Sequence, residues 1–479
     1  MKSLSYRALQ RFPALQRFPV VAFAVAILAG AAPRSLAAPT DVSVRDPSTL
    51  IKKDGLYWVV GTGRGAPQFS SSDARQWTPR GPALPQTPAW VKNAVPENRD
   101  NSIWAPDIAF FGGQYRLYYV YSTIGSKQSA IGLATNATLD PQGWTDRGIV
   151  IQSGPNTAYN ALDPSVFEDA QGAWWLAFGS YFDGIFITPL DKNSGKRLEN
   201  GPITPIATRP DVAGNPIEAP AVTFHDGWYY LFVNWDFCLQ GAKSTYNIRV
   251  GRSREVTGPY RDKNEQLLGR GGGTLFLNSV VDDGSGRPFD DQVGPGHAGI
   301  LREGEAYRLS THYEWSRFNR GATTLNVGAL AWDTDGWPRA VLDAGPFKIV
   351  SNLGTRGVLE VQGHAVQTNA YEARAGQKWV LTHRGDGFYT LSGPDNLVLG
   401  SVGGASTPGS AVEMAPFRNA DSQKWLARQN EDGTYTLLLK SGGQKLALDV
   451  AGGSLSDESP LQVWSDNFNN AQKWTFHAR

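Results

Sequence analysis

The sequence has a single cysteine, Cys238, and almost no net charge. One cysteine cannot form a disulfide bond within the chain, so the stability of the fold depends on a packed core. Free cysteines are usually buried, and we interpret Cys238 as a small buried apolar residue. The 45 basic and 44 acidic residues leave a formal net charge of +1, and no basic run stands out. This balance argues against a nucleic-acid-binding protein.

Long apolar segments are also scarce, and the one that exists lies near the N-terminus. Residues 20–32 form an apolar run that is short for a bilayer span. Four basic residues precede the run and a Ser-Leu-Ala segment at 35–37 follows it, which is typical of an export signal. We therefore predict a signal peptide over residues 1–37, and a secreted or periplasmic protein without membrane contact after its removal. The alternative interpretation is a membrane anchor.

Aromatic residues and turn formers are abundant. The chain contains 16 Trp, 17 Tyr and 21 Phe, together with 53 Gly and 30 Pro. No segment shows a long helical period. This composition favours an all-β protein with a surface that can stack on sugars. At 479 residues the chain is long enough for two or three domains.

Five similar units follow one another between residues 44 and 340. In each unit a polar residue close to a proline precedes a strand, and a glycine turn then leads into an aromatic strand. The turn glycines are Gly55, Gly113, Gly172, Gly227 and Gly304. Glycine turns between apolar runs are strong hairpin signals, and repeats of this length are typical of propeller blades. We predict a five-bladed β-propeller over residues 42–340 rather than a two-sheet sandwich.

Four of the five polar residues that open the units are acidic. They occur in Asp46-Pro47, Pro106-Asp107, Asp163-Pro164 and Glu218-Ala219-Pro220, and the fifth unit has Gly296-His297. The first strands of propeller blades begin near the central channel, so we expect these side chains to meet there. A single Asp-Pro usually marks a turn, but four acidic repeats predict a functional cluster. Asp107 is displaced, because its proline precedes it, and we predict a structural role for it, such as capping a turn.

Three of these carboxyl groups match the needs of glycosidic bond hydrolysis with inversion. That reaction needs a carboxylate that activates water and a carboxylic acid that protonates the leaving oxygen, about 6.5–9.5 Å apart. A third carboxylate nearby raises the pKa of the acid and keeps it protonated. Asp46, Asp163 and Glu218 supply these three parts.

Several motifs within residues 42–340 resemble the arabinanases of glycoside hydrolase family 43. They are Asn160-Ala161-Leu162-Asp163-Pro164, Gly179-Ser180, Ile217-Glu218-Ala219-Pro220, the run from Ser244 to Ser253, Thr257-Gly258-Pro259-Tyr260, Gly271-Gly272-Gly273-Thr274 and Gly294-Pro295-Gly296-His297. The resemblance implies a five-bladed propeller that cleaves α-1,5-linked L-arabinan, a plant cell-wall polysaccharide, with inversion. It also implies that Asp46 is the general base and Glu218 the general acid. Asp163 would raise the pKa of Glu218 and orient it.

The resemblance further implies a substrate pocket around the scissile bond. Its expected lining residues are Trp104, Gly125, Asn160, Ala161, Leu162, Ser180, Tyr181 and Phe182. Trp104 would stack on a sugar face, and the alternative for it is a place in the blade core. The family often has a histidine just before the base aspartate, whereas this chain has Arg45, a cation that favours ionised Asp46.

His297 resembles the histidine with which the family holds a calcium or other ion in the propeller channel. Water would complete the shell of such an ion, since calcium prefers oxygen ligands and histidine is an unusual partner for it. His312 is a second candidate for the same channel. No organic cofactor is expected.

A different repeat begins near residue 346. Gln377-Lys378-Trp379, Gln423-Lys424-Trp425 and Gln472-Lys473-Trp474 are 46 and 49 residues apart. Three such copies predict a β-trefoil over residues 346–479 with the three tryptophans in its core.

The triplet resembles that of ricin-type β-trefoil lectins. The resemblance implies a sugar site in the third repeat, formed by Asp449, Trp464 and Asn470. The first repeat, with Glu360 and Tyr371, is a poorer match, and the second is expected to bind nothing. The alternative is a trefoil that serves only as a packing module.

The leading hypothesis is a secreted, monomeric endo-arabinanase with an attached sugar-binding domain. The first alternative is an exo-acting α-L-arabinofuranosidase or β-xylosidase on the same scaffold. A loop that closes one end of the groove would produce exo action, and residues 278–292 are the candidate segment. The second alternative is a non-catalytic polysaccharide-binding protein, but the presence of all three carboxyl groups argues against it.

Overall fold

The chain folds into five antiparallel sheets followed by one larger sheet that closes on itself. The computed structural model describes residues 40, 42–98, 101–279, 292–342, 345–354 and 357–478, and all of them belong to one compact unit. The predicted signal peptide, residues 1–37, lies outside the described residues. Within the described ranges the only α-helix is the single turn Val91–Ala94. No helix there has both the length and the apolar character that a membrane crossing requires.

The first five sheets are blades in which consecutive strands pair in chain order. Blade 1 contains Ile51–Lys53, Leu56–Val60, Pro67–Ser71 and Thr78–Pro82. Blade 2 contains Ser102–Phe111, Gln114–Tyr121, Ser129–Asn136 and Thr145–Ser153, and the short strand Gly63–Arg64 joins its edge. Blade 3 contains Ser165–Glu168, Trp174–Phe178, Ile185–Leu190 and Thr204–Ala207. Blade 4 contains Ile217–His225, Trp228–Trp235, Asn247–Ser253 and Thr274–Leu277, and blade 5 contains Gln292–Glu303, Ala306–Ser316, Thr324–Trp332 and Pro338–Ala340.

The predicted glycine turns connect the first and second strands of every blade. The φ angles of the five glycines lie between +64° and +83°, a region that a side chain would strain. Three 3₁₀ turns, Gly241–Lys243, Leu268–Arg270 and Arg317–Asn319, complete the helical elements of the blades.

Apolar clusters between neighbouring blades close the five sheets into a ring. Four clusters fill the spaces between successive blades from 1 to 5. A fifth joins Val59 and Phe69 of blade 1 to Leu325 and Val327 of blade 5. Full burial of one such side chain contributes about 1.5–3 kcal/mol, so each of these contacts favours the closed ring. The predicted five-bladed propeller is confirmed.

Asp107 joins three blades through its buried carboxylate. Oδ1 accepts a hydrogen bond from the amide of Thr49 at 2.9 Å, and Oδ2 accepts one from the amide of Val166 at 2.7 Å. Thr49 leads into blade 1 and Val166 lies in blade 3, while Asp107 itself is in blade 2. Burial raises the pKa of Asp107 to about 6. This placement agrees with the structural role predicted for it.

The larger sheet contains twelve strands. They are Phe347–Ser351, Val358–Gln362, Ala365–Asn369, Val380–His383, Phe388–Ser392, Val398–Ser401, Ser410–Ala415, Trp425–Gln429, Tyr435–Leu439, Leu446–Val450, Ser459–Ser465 and Trp474–Ala478. The 3₁₀ turns between them are Ala375–Gln377, Pro394–Asn396, Val402–Gly404, Asp421–Gln423, Lys440–Gly442, Ala451–Gly453 and Asn470–Gln472.

The repeated Gln-x-Trp triplets form the same set of contacts three times. Trp379, Trp425 and Trp474 are fully buried, and their indole nitrogens donate to the carbonyls of Leu359, Leu399 and Leu448 at 2.9, 3.0 and 3.2 Å. The three glutamine amides donate to the carbonyls of Ala370, Pro416 and Ser465 at 2.8, 2.8 and 2.9 Å. In each of the three repeats, called lobes below, the tryptophan therefore fixes the core and the glutamine fixes a loop. The predicted trefoil with a tryptophan core is confirmed.

The trefoil packs against the propeller through blades 4 and 5. Ala329 of blade 5 belongs to the apolar cluster of the trefoil. The amide of Leu342 donates to the Tyr389 hydroxyl at 2.9 Å. Gln429 exchanges two hydrogen bonds with the backbone of Asn278, at 3.0 and 2.6 Å.

We predict that Asp107→Ala lowers the free energy of unfolding by about 2–4 kcal/mol, because two buried amides lose their acceptors. Urea unfolding followed by tryptophan fluorescence measures the change. Asp211→Ala is the control, since Asp211 is exposed and its loss should leave stability unchanged. Equal midpoints for the two variants would contradict the structural role of Asp107.

Candidate active site

The five blades share one unusual backbone feature near the start of their first strands. One residue in each has a left-handed backbone: Asp46 at φ +45°, Ala105 at +39°, Asp163 at +55°, Ala219 at +50° and His297 at +56°. In blades 2, 4 and 5 the strand pairing also shifts its register at this point. Such a conformation costs of order 1–3 kcal/mol in a non-glycine residue, so the surroundings must hold it.

Side chains of neighbouring blades hold four of these residues by their backbone amides. The amide of Asp46 donates to His312 Nδ1 of blade 5 at 3.0 Å, and the amide of Ala105 donates to Thr62 Oγ1 at 2.7 Å. The amide of Ala219 donates to Asp163 Oδ2 of blade 3 at 3.0 Å. The amide of His297 donates to Asn234 Oδ1 of blade 4 at 2.9 Å. The strained turns are therefore fixed by contacts that exist only when the blades are assembled.

These turns and the residues just before them meet at one cavity of about 280 Å³. Its walls are formed by Arg45, Asp46, Thr62, Trp104, Ala105, Ile124, Leu162, Asp163, Ser180, Glu218, Cys238, Leu239, Tyr246 and His297. The structure thus brings Asp46, Asp163 and Glu218 together in one cavity. Asp46 and Asp163 occupy the left-handed position, whereas Glu218 stands one residue before it, as Arg45 does.

A larger groove of about 840 Å³ shares Trp104, Leu162 and Glu218 with this cavity. Seven of the eight expected substrate residues line the groove: Trp104, Gly125, Asn160, Leu162, Ser180, Tyr181 and Phe182. The eighth, Ala161, is fully buried, and its amide and carbonyl bond the hydroxyls of Ser153 and Ser129. Ala161 supports the wall and is not among the residues that line either space.

Two of the groove residues are well suited to meet a sugar. Asn160 is buried and donates to the Ser180 carbonyl at 3.0 Å, while its Oδ1 has no hydrogen-bond partner within the described chain. Trp104 is half-buried; it packs on the core between blades 2 and 3 and also lines both spaces. Both alternatives considered for Trp104 are therefore compatible with its position.

Three donors surround the Glu218 carboxyl group. Ser180 Oγ donates to Oε2 at 2.7 Å, Cys238 Sγ lies 3.6 Å from Oε1, and the Tyr246 hydroxyl is a third hydrogen-bond partner. Tyr246 packs directly on Gly296, where a Cβ would lie 2.1 Å from the ring. Glycine at position 296 therefore gives the ring the space it needs beside Glu218.

Burial governs the protonation of the two inner carboxyl groups. It raises the pKa of Asp163 well above its ordinary value, and the charges of Glu218 and Asp46 add to this effect. Burial also raises the pKa of Glu218; hydrogen bonds from Ser180 and Tyr246 oppose the shift, and the charge of Asp46 supports it. Two adjacent buried carboxyl groups titrate as a pair and keep a proton to higher pH than an isolated one. The cavity therefore contains a carboxylic acid in addition to Asp46.

Asp46 is the most accessible of the three acidic residues in the cavity, and a fifth of its side chain is exposed. Thr62 Oγ1 donates to Oδ2 at 2.6 Å, and His312 Nδ1 lies 3.5 Å from Oδ1. His312, the second channel candidate, is fully buried beside it.

His297 offers one nitrogen ligand for the expected ion. Burial lowers its pKa to about 4, so the ring is neutral and has a free lone pair, and its Nδ1 lies 4.0 Å from Asp46 Oδ1. Among the described residues no three His, Cys, Asp or Glu side chains are gathered in a way that would hold a metal. Any ion here would thus depend on water for most of its shell.

Cys238 corrects the interpretation of this residue as a plain buried apolar one. It is only half-buried, and it lines both the cavity and the groove. Thr62 and Glu314 were also missed, although Glu314 is a charged residue in the buried part of its strand. Arg45 and Leu239 lie 269 and 75 residues from Glu314, and Ala105 lies 43 residues from Thr62, so the local sequence does not reveal these contacts.

The expected sugar site of the trefoil combines a buried acid with an exposed ring. Asp449 accepts hydrogen bonds from Gln462 at 2.9 Å and Gln472 at 3.1 Å, and 42% of Trp464 is exposed. Asn470 is exposed, and its Oδ1 accepts from Asn352 at 3.3 Å.

In the first repeat the acid has three hydrogen-bond partners, one of them a cation, whereas Asp449 has two neutral ones. Glu360 accepts from Asn369 at 2.7 Å, from Arg374 at 3.1 Å and from Gln377 at 3.1 Å. This lobe therefore offers a sugar less than the third one.

Sequence comparison identifies the class of protein to which this site belongs. The sequence model described as Glycosyl hydrolases family 43 matches residues 39–338. The model described as Ricin-type beta-trefoil lectin domain-like matches residues 375–464 and 421–479. Because the first match spans more than half of the sequence, the chain belongs to glycosyl hydrolase family 43 and is a glycoside hydrolase.

Several characterised proteins are similar to the propeller. The extracellular endo-alpha-(1->5)-L-arabinanase 1 of Bacillus subtilis is 39% identical over 299 residues, which is 62% of this chain and 87% of the relative. The extracellular exo-alpha-(1->5)-L-arabinofuranosidase ArbA of Cellvibrio japonicus is 34% identical over 312 residues, 62% of this chain and 86% of the relative. The structure of the GH43 endo-arabinanase of Bacillus licheniformis superposes with a TM-score of 0.56 at 39% identity, covering 63% of this chain and 98% of the other.

We predict that Cys238 reacts with a thiol reagent such as DTNB at least about tenfold more slowly than a free thiol, because only the thiolate is reactive. Burial raises the pKa of the thiol, and the charges of Glu218 and Glu314 raise it further. The absorbance of the released chromophore measures the rate. Reaction in denaturant should be fast, and Cys238→Ser should not react at all. A native rate equal to that of a free thiol would contradict the described surroundings.

Proposed function

We propose that this family 43 member is an inverting endo-1,5-α-L-arabinanase with a C-terminal sugar-binding domain. The observation that carries the proposal is the cavity in which a buried pair of carboxyl groups, Asp163 and Glu218, faces the more exposed Asp46. Inverting hydrolysis needs one protonated and one ionised carboxyl group on opposite sides of a scissile bond. The similarity to proteins described as arabinanases supports arabinan as the substrate.

The three carboxyl groups take different roles because their surroundings differ. Asp46 accepts a hydrogen bond from Thr62 and is accessible, so it activates a water molecule as the general base. Glu218 is buried and its pKa is raised, so we assign to it the proton that passes to the leaving sugar oxygen. Asp163 holds the Ala219 amide next to Glu218, and its carboxyl group disfavours a second charge there. Asp163 is thus proposed to orient the acid, and the pair disfavours ionisation of both carboxyl groups at once.

The groove supports internal cleavage of a chain. Its 840 Å³ lies near the upper end of the range for small-ligand pockets, and it continues from the carboxyl groups past Phe182 to Asn215. An extended groove lined in part by Glu218 provides room for several sugars. Exo cleavage is the second candidate, because one relative is described as an exo-acting arabinofuranosidase. The segment considered as a closing loop, 278–292, lies outside the described residues from 280 to 291.

We also propose that the propeller channel holds an ion and that the protein acts outside the cell. A calcium or other ion in the channel would be held by His297 and water, and would fix the local charge beside Asp46. The roles given to the carboxyl groups do not depend on it. The signal-like residues 1–37, together with relatives described as extracellular, support export and action on plant cell-wall arabinan, and we propose a monomer.

The trefoil would retain the enzyme on its substrate. Trp464 offers an exposed ring for a sugar face, and Asp449 and Asn470 are the polar groups of the same repeat. Binding at one lobe would be weak, and it would raise the local concentration of arabinan near the groove.

We predict that early digests of debranched linear arabinan contain a ladder of oligosaccharides. Glu218→Gln and Asp46→Asn should lower kcat/KM by about 10²–10⁴-fold, since general acid–base catalysis contributes that much. Chromatography of the products by chain length, together with a reducing-sugar assay, gives both results. Glu199→Gln, an exposed glutamate, is the matched control and should keep full activity. Arabinose alone would show exo action, and the absence of turnover would show a binding protein.

We predict that Trp464→Ala weakens retention on insoluble arabinan at least about fivefold, because exposed aromatic anchors contribute more than 1 kcal/mol. Hydrolysis of short soluble oligosaccharides should be unchanged, since the propeller alone acts on them. A sedimentation assay with the polysaccharide measures retention. Tyr371→Ala, in the lobe of Glu360, should bind as well as the wild type. Equal retention of all three proteins would show that the trefoil is only a packing module.

A further inference from the structure

Glu314 lies behind Asp46 and contacts three parts of the propeller. It is in the second strand of blade 5, Ala306–Ser316, and only 1% of its side chain is exposed. Oε1 accepts hydrogen bonds from Arg45 Nη1 at 2.7 Å and from His312 Nε2 at 3.2 Å. Oε2 accepts from Arg45 Nη2 at 2.8 Å and from the Leu239 amide at 3.1 Å. Both oxygens are fully used, and none of the four contacts involves substrate.

The carboxylate of Glu314 is ionised at neutral pH. Burial alone would raise its pKa, but hydrogen bonds from His312 and Arg45 lower it to about 2. Arg45 meets it with both guanidinium nitrogens, a geometry that fixes orientation as well as charge. A buried ion pair adds little net stability, because desolvation offsets most of the attraction. The main effect of the Arg45–Glu314 pair is therefore to fix the orientation of the two side chains.

One set of contacts leads from Glu314 to the general base. His312 Nδ1 accepts the Asp46 amide, so this nitrogen has the lone pair and Nε2 bears the hydrogen. Nε2 then donates to Glu314. The carboxylate thus selects the one neutral tautomer of His312 that can hold Asp46 in its left-handed backbone.

A second set of contacts leads to the general acid. The Leu239 amide donates to Glu314 Oε2, and the adjacent Cys238 thiol lies 3.6 Å from Glu218 Oε1. In the segment after the second strand of blade 4, Glu314 therefore holds Leu239, and the preceding residue, Cys238, contacts Glu218. A single buried carboxylate thus joins the segment that presents Asp46 to a segment that contacts Glu218.

We propose that Glu314 is a positioning residue that sets the placement of Asp46 relative to Glu218, acting through His312 on one side and Leu239 on the other. This inference rests on the proposed function of the two carboxyl groups. Its alternative is a purely structural role, in which Glu314 holds blades 1, 4 and 5 together without affecting the reaction.

Glu314→Gln separates these roles because the amide has the same size and lacks the charge. One of the two acceptor oxygens becomes an NH₂ donor, so either the Leu239 amide or His312 Nε2 loses its acceptor, together with one nitrogen of Arg45. We expect kcat on linear arabinan to fall about 10²-fold with KM changed less than about threefold, since misplacement by about 1 Å has that effect. Glu314→Asp keeps the charge on a shorter arm and should recover part of the loss.

The matched control is Asp107→Asn, the same change at another buried carboxylate that joins blades. It should lower the melting temperature and leave the kcat of the folded enzyme unchanged. In the Asp46→Asn background, Glu314→Gln should reduce kcat little further, because the base that it positions is already absent. An equal loss in both backgrounds, or a loss matched by Asp107→Asn, would overturn the positioning role.

A measurement without substrate separates this inference from the proposed function. Nitrogen-15 spectra of the six histidines report which ring nitrogen bears the hydrogen. His312 should be protonated at Nε2 in the wild type, and Glu314→Gln should add the other tautomer. If the wild type shows this signature but does not cleave arabinan, the proposed function fails alone. If it cleaves arabinan while His312 and kcat are the same in Glu314→Gln, the positioning role fails alone.

Discussion

The site depends on a backbone constraint that is repeated around the ring. Each blade opens with a residue in the left-handed conformation, and four of these residues are held by an amide hydrogen bond to a neighbouring blade. The strain of each turn is small enough for one hydrogen bond and the surrounding packing to offset. Because the holding groups come from other blades, the catalytic geometry forms only when the ring closes. Folding and site assembly are thus one event.

Burial gives chemically similar residues different properties. Asp163 and Glu218 lie at the closed end of the cavity, where the loss of water favours the neutral acid. Asp46 is nearer to solvent and has a hydroxyl donor, and Glu314 is as buried as the inner pair but has a full set of cationic and amide partners. In the proposed mechanism these four carboxyl groups therefore act as a base, an acid, a modulator and a charged support.

The repeated parts of the fold could be predicted from the sequence, because each repeat is a local rule. Asp46-Pro47 and Asp163-Pro164 mark left-handed turns, and the Gln-x-Trp triplets form identical core contacts in three lobes. The sequence pattern also misleads in one respect: it aligns Glu218 with Asp46, although Ala219 is the equivalent residue.

The supporting contacts could not be predicted in this way. Arg45 and Glu314 are 269 residues apart, and Asp46 and His312 are 266 apart. Nothing in the local sequence of Cys238 indicates that its thiol reaches Glu218. The contacts of Arg45 and Asp46 depend on how blade 5 closes against blade 1, which is a property of the whole ring and not of a motif.

The central claim is that Asp46 and Glu218 act on opposite sides of one bond, with water attacking from the side of Asp46. The most direct measurement is the anomeric configuration of the first product, followed by proton NMR as α-linked arabinan is cleaved. Attack opposite to the leaving group must first produce the β-anomer, which then equilibrates by mutarotation. The account predicts this order, and initial formation of the α-anomer would contradict it.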